Sequence, residues 1–344
     1  MVETIRLRAD DQADVERAAE LLRGGRLVAF PTETVYGLGA NALSAQAVAG
    51  IFAAKQRPAW DPLIVHVTGV GDVERIAKIP DDLRDCVKEL AAAFWPGPLT
   101  MLLPRSAAVP DAVTARRPLV GVRVPSHPAA QALLRAVGLP IAAPSANRFG
   151  HTSPTTAEHV LADLGGRIDA VLDGGPTHVG IESTVIDVTR SPIVQYRPGA
   201  ITPQQIEAAC GKPVEVYVPA EAEKRIRGPE SLPSPGVGIR HYAPRARVLL
   251  IEGTSEALQR KLSEAAAAEK NAGVLLPIGW RTPRKAVVQP WATWEHPERL
   301  AATLFAGLRA LDARGVEKII VPLPPPGGIY DAIRDRLLKA AREK

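Results

Sequence analysis

The 344-residue chain has little cysteine and no long apolar run, and both absences limit what it can be. Its two cysteines, Cys86 and Cys210, lie far apart and form no CxxC pair, which argues against a zinc site or a disulfide framework. No apolar stretch is long enough to cross a bilayer, and the first residues, MVETIRLRAD, lack the apolar core of a signal peptide. We therefore expect a cytoplasmic protein with no membrane partner.

Two common catalytic signatures are also missing. There is no GxxxxGK[ST] phosphate-binding loop, and no Ser-His-Asp order is evident. The composition is otherwise ordinary for a soluble globular protein, with 46% hydrophobic and 23% charged residues. A chain of this length favours two domains over one.

The net charge of +5 is distributed unevenly along the chain. Residues 245–344 carry 17 Lys and Arg against 11 Asp and Glu, a net charge of +6, whereas the remaining 25 and 26 give −1. A basic C-terminal part is compatible with nucleic-acid binding. Because its charges are scattered and are not interleaved with aromatic residues, we favour a solvated surface instead.

The stretch from Phe30 to Asn41, FPTETVYGLGAN, combines hydroxyls, one carboxylate and two glycines after a short apolar run. The apolar run, residues 26–30, predicts a buried strand, and ligands of open α/β sheets usually bind where strands end. Gly37 and Gly39 would let the backbone turn sharply and approach a ligand. The alternative is a loop whose Thr and Tyr side chains only cap and pack.

Apolar periodicity predicts strands and helices on both sides of a proline- and glycine-rich stretch. In the first part we predict helices at 11–23, 44–55, 81–94 and 127–137, a helix capped at Thr202, and strands at 63–67, 99–103, 119–124, 140–143, 170–172, 184–188 and 193–196. In the last part we predict strands at 248–251, 274–277 and 316–321 and helices at 255–269, 297–313 and 329–341. That alternation indicates a small parallel sheet covered by helices. The domain bounds follow as 1–211, a linker at 212–247, and 248–344.

Polar residues interrupt buried-looking segments of the first part or follow its strand ends. Lys55 and Arg57 suit a polyphosphate, although the C-terminus of a helix also favours cations. His66 lies within a strand, where a lone histidine is more often a core residue than a ligand. Arg123 interrupts another strand and needs an anionic partner, which is either a ligand or an internal carboxylate.

Hydroxyl, amide and cationic groups follow later strand ends at Ser145, Asn147, Ser153, Ser183 and Arg197. Polar and cationic groups at strand ends suit electrostatic stabilisation of an anionic reaction better than covalent catalysis. They identify no catalytic residue.

Eight segments occur in a fixed order: FPTETVYGLGANA, KQRP, DPLIVHV, FWPGPLT, GVRVP, APSANRFGHTSPT, GIESTVIDV and QYRPGAIT. In these segments the chain closely resembles the YrdC-like family of threonylcarbamoyl-AMP synthases. The segment SPGVGIRHYAP, residues 234–244, resembles the linker of the longer, two-domain form of that family. The resemblance implies an α/β fold: a twisted mixed sheet flanked by helices, followed by a smaller Rossmann-like domain with a parallel sheet.

The resemblance also implies an activity. Members of the family are nucleotidyltransferases that make L-threonylcarbamoyladenylate from L-threonine, bicarbonate or CO2, and ATP, with release of pyrophosphate. Mg2+ is expected to accompany ATP. The product serves the formation of N6-threonylcarbamoyladenosine at position 37 of tRNA, so tRNA or its threonylcarbamoyl transfer machinery is an expected partner.

A residue set for each substrate follows from the same resemblance. L-Threonine is expected to contact Thr34, His66, Arg123, Ala143 and Ser183, with Arg123 paired to its carboxylate. ATP is expected to contact Lys55, Arg57, Asp61, Leu119, Ser145, Asn147, Ser153 and Arg197, together with Arg240, His241 and Tyr242 of the linker. Asp61 stands where family members often have Asn. The linker residues would close over the pocket as a lid that excludes water.

Two other functions stay open at this point. One is that of a carbamoyl-adenylate transferase relative, as in hydrogenase maturation. Such proteins add cysteine-rich zinc fingers, which a chain with two cysteines does not have. The other is a binding module for double-stranded RNA or tRNA, in which a basic surface acts without catalysis.

Overall fold

The computed structural model of the chain describes residues 3–218 and 242–342. Contacts divide the chain into two compact units. Among the described residues, the first unit contains 3–149, 154–178 and 182–218, and the second contains 150–153, 179–181 and 242–342. The second unit is therefore assembled from three separate stretches of sequence. The predicted domain bounds of 1–211, 212–247 and 248–344 stay predictions.

The first unit is an α/β structure around a mixed sheet of eleven strands, all within the described residues. Its strands are β1 (Ile5–Arg8), β2 (Val28–Pro31), β3 (Tyr36–Asn41), β4 (Ile64–His66), β5 (Leu99–Pro104), β6 (Leu119–Arg123), β7 (Ile141–Ala142), β8 (Ala170–Asp173), β9 (Thr184–Asp187), β10 (Ile193–Arg197) and β11 (Val214–Val216). Its helices are α1 (Gln12–Arg23), α2 (Ala45–Lys55), α3 (Arg84–Phe94), α4 (Asp111–Thr114), α5 (Pro128–Val137), α6 (Ala157–Leu164) and α7 (Pro203–Cys210). The strand order is β1-β8-β2-β3-β7-β4-β6-β5-β9-β10-β11, which confirms the predicted mixed sheet.

The two faces of this sheet have different coverings. One face buries Val65, Met101 and Val122 in a large core shared with α2, α3, α4, α6 and α7. On the opposite face, α1 and α5 pack over β1, β8, β2, β3 and β7. Side chains alternate along a strand, so His66 and Arg123, which neighbour Val65 and Val122, point away from the large core. The polar strand residues therefore share the face that α1 and α5 cover only in part.

Side-chain caps fix the helix starts that the sequence predicts. The hydroxyl of Ser44 accepts a hydrogen bond from the amide of Ala47 at the start of α2. At α7 the backbone amide of Gln205 donates to the Thr202 hydroxyl, and the backbone amide of Thr202 donates to Gln205 Oε1. This pair of bonds is a capping box, and Pro203 occupies the first turn. These local bonds satisfy amides that have no partner within the helix.

Strand β3 corrects the expectation of a sharp turn at its two glycines. Gly37 pairs with Phe30 of β2, and Gly39 pairs with Val28. A Cβ atom at Gly39 would approach the Phe30 ring to 2.9 Å and the Ile141 side chain to 3.1 Å. The prediction of a turn was wrong, because the glycines here leave room for neighbouring side chains to cross the strand.

The second unit contains a parallel sheet of four strands in the order β12-β15-β13-β14 within the described residues. Its strands are β12 (Arg247–Ile251), β13 (Ala272–Leu276), β14 (Val287–Pro290) and β15 (Lys318–Pro322), and its helices are α8 (Ser255–Ala268), α9 (Pro297–Ala313) and α10 (Ile329–Ala340). This arrangement confirms the predicted small parallel sheet. Strand β14 was not predicted, because VVQP is short and lies at the half-exposed edge of the sheet.

The short stretches 150–153 and 179–181 are bound within the second unit. The amide of Ala243 donates to the carbonyl of Gly150 at 2.9 Å. Gly180 has a φ of +74°, and a Cβ atom there would lie 2.4 Å from the Cα atom of Ala302 in α9. A side chain at this position would meet both a strained backbone and a clash, so the close approach requires glycine. Within the described residues, no helix has the length and apolarity that crossing a membrane demands.

Candidate active site

Arg123 lies at the end of β6, where the parallel pairing of β4 and β6 places it opposite His66. Its Nη2 atom donates to Glu33 Oε1 at 2.6 Å and to Thr34 Oγ1 at 2.9 Å. Its Nε atom donates to the carbonyl of Gly97 at 3.3 Å. The side chains of Arg123 and Glu33 are only 5% and 1% exposed. Arg123 therefore has an internal carboxylate as one anionic partner, and its pairing with a ligand carboxylate stays a prediction.

The charges in this group are set by burial and by one another. Burial alone would raise the pKa of Glu33, but the Arg123 guanidinium, with the Ser126 amide, holds it below its usual value. Burial, and then the positive charge of Arg123, lower the pKa of His66 to about 3. The Nδ1 atom of His66 has no hydrogen-bond partner among the residues that the structure describes. At neutral pH the group therefore consists of an ion pair and a neutral imidazole.

Ser183 and Arg197 form a second hydrogen-bonded group with Thr100. The hydroxyl of Ser183 lies 2.8 Å from that of Thr100 and accepts from Arg197 Nη2 at 3.0 Å. Arg197 Nε donates to the carbonyl of Ser183 at 2.9 Å. The antiparallel pairing of β5 with β6 aligns Met101 with Val122, so Thr100 and Arg123 are the next residues along the two strands. The two groups therefore adjoin on one face of the sheet.

Lys55 and the loop after β7 form a third group. The Nζ atom of Lys55 donates to the backbone carbonyls of Ser145 and Asn147. Lys55 is 1% exposed, and burial, followed by the charge of Arg57, lowers its pKa well below 10.5. Arg57 Nη2 lies 2.9 Å from Asp61 Oδ2, and both side chains are buried. Lys55 is thus held by backbone carbonyls and Arg57 by a carboxylate, and contact of this group with ATP stays a prediction.

Ala143 and Leu119 are the remaining expected contacts within the first unit. The amide of Ala143 donates to the carbonyl of Ile64 at 2.9 Å, so β7 continues alongside β4. Leu119 is half-buried and packs against a small apolar cluster formed by Ile64, Leu102 and Val185. This cluster lies on the polar face of the sheet, opposite the large core.

Two of the expected ATP contacts belong to the second unit, and two more lie outside the described residues. Ser153 and Tyr242 belong to the second unit. There Arg309 donates to the carbonyl of Ser153 at 3.3 Å, and the Tyr242 ring stacks on Phe305 with 5.7 Å between ring centroids. The other two, Arg240 and His241, lie outside the described residues, as does most of the expected lid. Contact of all four with ATP stays a prediction.

Three polar residues of these groups were missing from the sets expected from the sequence. Glu33 was visible only as the carboxylate of its motif, and nothing local pairs it with an arginine 90 residues away. Thr32 shares a hydrogen bond of 2.8 Å with Thr34. Thr100 is the second residue of an apolar strand, LTMLL, and its hydroxyl is the only signal that this segment offers.

The mixed sheet with its buried polar groups, followed in the same chain by a small parallel-sheet unit, is the architecture of a two-domain α/β protein. The Sua5/YciO/YrdC family model, described as telomere recombination, matches residues 20–199. The model for the C-terminal domain of threonylcarbamoyl-AMP synthase matches residues 201–342. The chain belongs to the Sua5/YciO/YrdC family, in the form that carries this C-terminal domain.

Individual relatives are similar over nearly the whole chain. The threonylcarbamoyl-AMP synthase of Pyrococcus abyssi is 42% identical, across 94% of this chain and 93% of that protein. The Bacillus subtilis protein of the same name is 42% identical, across 95% and 92%. The crystal structure of P. abyssi Sua5 complexed with L-threonine has a TM-score of 0.89 at 41% identity, and the match covers 98% of this chain and 97% of that one. The family and fold predicted from the sequence are confirmed.

Proposed function

We propose that the protein is an L-threonylcarbamoyladenylate synthase, which forms threonylcarbamoyl-AMP and pyrophosphate from L-threonine, bicarbonate or CO2, and ATP. The names of relatives that are 42% identical over nearly its full length support this activity. The P. abyssi structure with L-threonine supports threonine as a substrate. In the chain itself, the observation that carries the proposal is the buried, fixed guanidinium of Arg123, which is suited to bind a carboxylate.

The reaction is a nucleotidyl transfer. The amine of threonine takes up CO2 as a carbamate, a carbamate oxygen attacks the α-phosphorus of ATP, and pyrophosphate leaves. Because the substrate itself supplies the nucleophile, the protein needs chiefly to position the reactants and to neutralise negative charge. Lys55, Arg57 and Arg197 are buried basic side chains that suit contact with the nucleotide, and Arg123 suits contact with threonine.

Magnesium belongs to this proposal as part of the Mg·ATP substrate. No group of three or more His, Cys, Asp or Glu side chains is arranged to hold a metal ion in residues 3–218 and 242–342. The donor set of the chain thus fits an ion bound by the phosphates better than one bound by a protein cage. There it would neutralise charge on the leaving pyrophosphate.

The proposal extends to what happens after synthesis. The product is a mixed anhydride that water destroys, so its consumer must act promptly. We assign that role to the machinery that transfers the threonylcarbamoyl group to adenosine 37 of tRNA. The two cysteines, Cys86 and Cys210, are free thiols, which suits a reducing cytoplasm.

Pyrophosphate release by the full chain tests the proposal. Release should require L-threonine, bicarbonate and Mg·ATP together, and omission of any one should stop it. Arg123→Ala should lose threonine-dependent release while the fold is kept. Arg84→Ala is the control, because Arg84 is 64% exposed and its ion pair with exposed Asp81, at 2.7 Å, lies at the surface. Normal turnover by Arg123→Ala would contradict the pocket assignment. A wild-type chain that binds tRNA without turnover would instead favour the RNA-binding module.

A further inference from the structure

Glu33 is a buried carboxylate whose two oxygens each accept a hydrogen bond from a different donor. Oε1 accepts from Arg123 Nη2 at 2.6 Å, and Oε2 accepts from the backbone amide of Ser126 at 2.9 Å. The side chain is 1% exposed. Both partners can only donate, so the position requires a group with two acceptor atoms. A glutamine offers a single acceptor and would turn one of the two bonds into a contact between donors.

These bonds hold one edge of the Arg123 guanidinium and leave the other edge available. Nη2 is bound by Glu33 and Thr34, and Nε is bound by the carbonyl of Gly97. The Nη1 atom has no hydrogen-bond partner among the residues that the structure describes. A guanidinium fixed on one edge presents its free N–H groups in a defined direction, which is how arginine recognises carboxylates.

The neighbouring hydroxyls are oriented by the same bonds. Thr32 Oγ1 donates to the carbonyl of Val35 at 2.7 Å, which uses its only proton. It must therefore accept the proton of Thr34 across their separation of 2.8 Å. Thr34 Oγ1 then accepts from Arg123 Nη2 at 2.9 Å. The hydroxyls of Thr32 and Thr34 and the N–H groups of Nη2 therefore all donate to protein acceptors in the absence of a ligand.

From this arrangement we infer that Glu33 is a positioning residue for L-threonine, which aims the Nη1 edge of Arg123 at the carboxylate of the substrate. The inference rests on the proposed function, because it takes that carboxylate as the ligand of Arg123. Glu33 also balances the buried positive charge of Arg123 when no substrate is bound. It acts through Arg123 and touches neither ATP nor the reacting atoms.

Steady-state kinetics of the full chain test this role. Glu33→Gln should raise the KM for threonine about ten- to hundredfold, because a charge-assisted contact loses its geometry, while the KM for ATP stays within about twofold. Asp81→Asn is the matched control, since Asp81 is 92% exposed and its pair with Arg84 lies at the surface. An unchanged KM for threonine, or an equal rise for ATP, would overturn the inference.

A double-variant comparison separates positioning from a general effect on folding. Threonine affinity is measured by equilibrium dialysis for Arg123→Ala with and without Glu33→Gln. If Glu33 acts through Arg123, the second substitution should change that affinity by less than about twofold, whereas independent roles would multiply their losses. Multiplied losses would overturn the inference.

Two further results complete the test. If Glu33→Gln does not fold, Glu33→Asp decides, because its shorter side chain keeps both acceptors but cannot reach both donors. Its threonine KM should rise at least about threefold with an unchanged ATP KM; an unchanged threonine KM would overturn the inference. If turnover by the wild type does not depend on threonine, the proposed function itself is wrong. If the wild type depends on threonine but the Glu33 variants behave normally, only the role inferred for Glu33 is wrong.

Discussion

Protonation of His66 should destabilise the first unit, because the folded protein holds this imidazole neutral. The ring is buried at the end of β4 and forms a T-shaped pair with Phe30, with 6.2 Å between ring centroids. Burial and the adjacent Arg123 charge lower its pKa from 6.5 to about 3, and Glu33 opposes this only in part. Below pH 6.5 the unfolded chain therefore binds a proton that the folded chain does not bind. The free energy of unfolding falls as the pH falls from 6.5 towards about 3.

The size of this effect follows from the two pKa values. Between pH 7 and pH 5, a group that titrates at 6.5 when unfolded and at about 3 when folded removes about 2 kcal/mol from the free energy of unfolding. His66→Gln cannot take up this proton. The wild type should therefore lose about 2 kcal/mol more than the variant over the same interval, since the contributions of all other groups cancel in the comparison.

Hydrogen exchange in urea, followed by mass spectrometry of peptides from β4 and β6, measures the stability of the first unit alone. The free energy of unfolding is determined for both proteins at pH 7 and pH 5. A difference between the two losses near zero would refute the reasoning, because it would mean that the folded imidazole accepts a proton as readily as the unfolded one. The folded imidazole could not then be neutral at pH 5.

Four other substitutions have defined outcomes. Gly39→Ala should lower the free energy of unfolding by about 1–3 kcal/mol, because its Cβ atom would come within 2.9 Å of Phe30. In Gly50→Ala of α2 the added Cβ atom would lie no closer than 3.4 Å to Leu27, so the free energy of unfolding should rise by up to about 1 kcal/mol. Urea unfolding measures the change in both variants. Changes of the same sign would contradict the geometry. Burial, and then the neighbouring Cys210 thiol, raise the pKa of Cys86 to about 11, so a disulfide reagent at pH 8 should label Cys86 slowly. Cys86→Ser should therefore leave the amplitude of any fast labelling phase unchanged. Loss of a fast phase in this variant would mean that Cys86 reacts fast, which contradicts its raised pKa. Thr202→Ala removes the capping box of α7 and should cost about 1 kcal/mol in urea unfolding, while a cost near zero would show that the cap is dispensable.

The regular elements were predictable wherever a local pattern extended over several turns or strand residues. Helices α1, α5 and α9 carry apolar stripes, and the capping box at Thr202 marks the start of α7. Strand β11 has no such pattern: its three residues are half-buried or exposed, and its pairing with β10 alone makes it a strand. Hydrogen bonds to a neighbouring strand are a tertiary property that a short segment does not encode by itself.

For the site, the residue types were predictable but their partners were not. Glu33 and Arg123 are 90 residues apart, and Thr100 and Ser183 are 83 apart, so each pair forms only when the sheet order is set. The sequence likewise indicated a cation at Lys55 but not its bonds to backbone carbonyls. Motifs therefore located the chemical groups, whereas the folded sheet determined which of them satisfy one another.

The three-stretch construction of the second unit has a consequence for protein engineering. A gene fragment that starts at residue 242 would encode the parallel sheet but would omit 150–153 and 179–181. Ala243 would then lack its acceptor on Gly150, and α9 would lose the chain that packs closely at Ala302. A single cut cannot release this unit intact, and swapping it between relatives would require transplanting two short inserts along with the C-terminal portion.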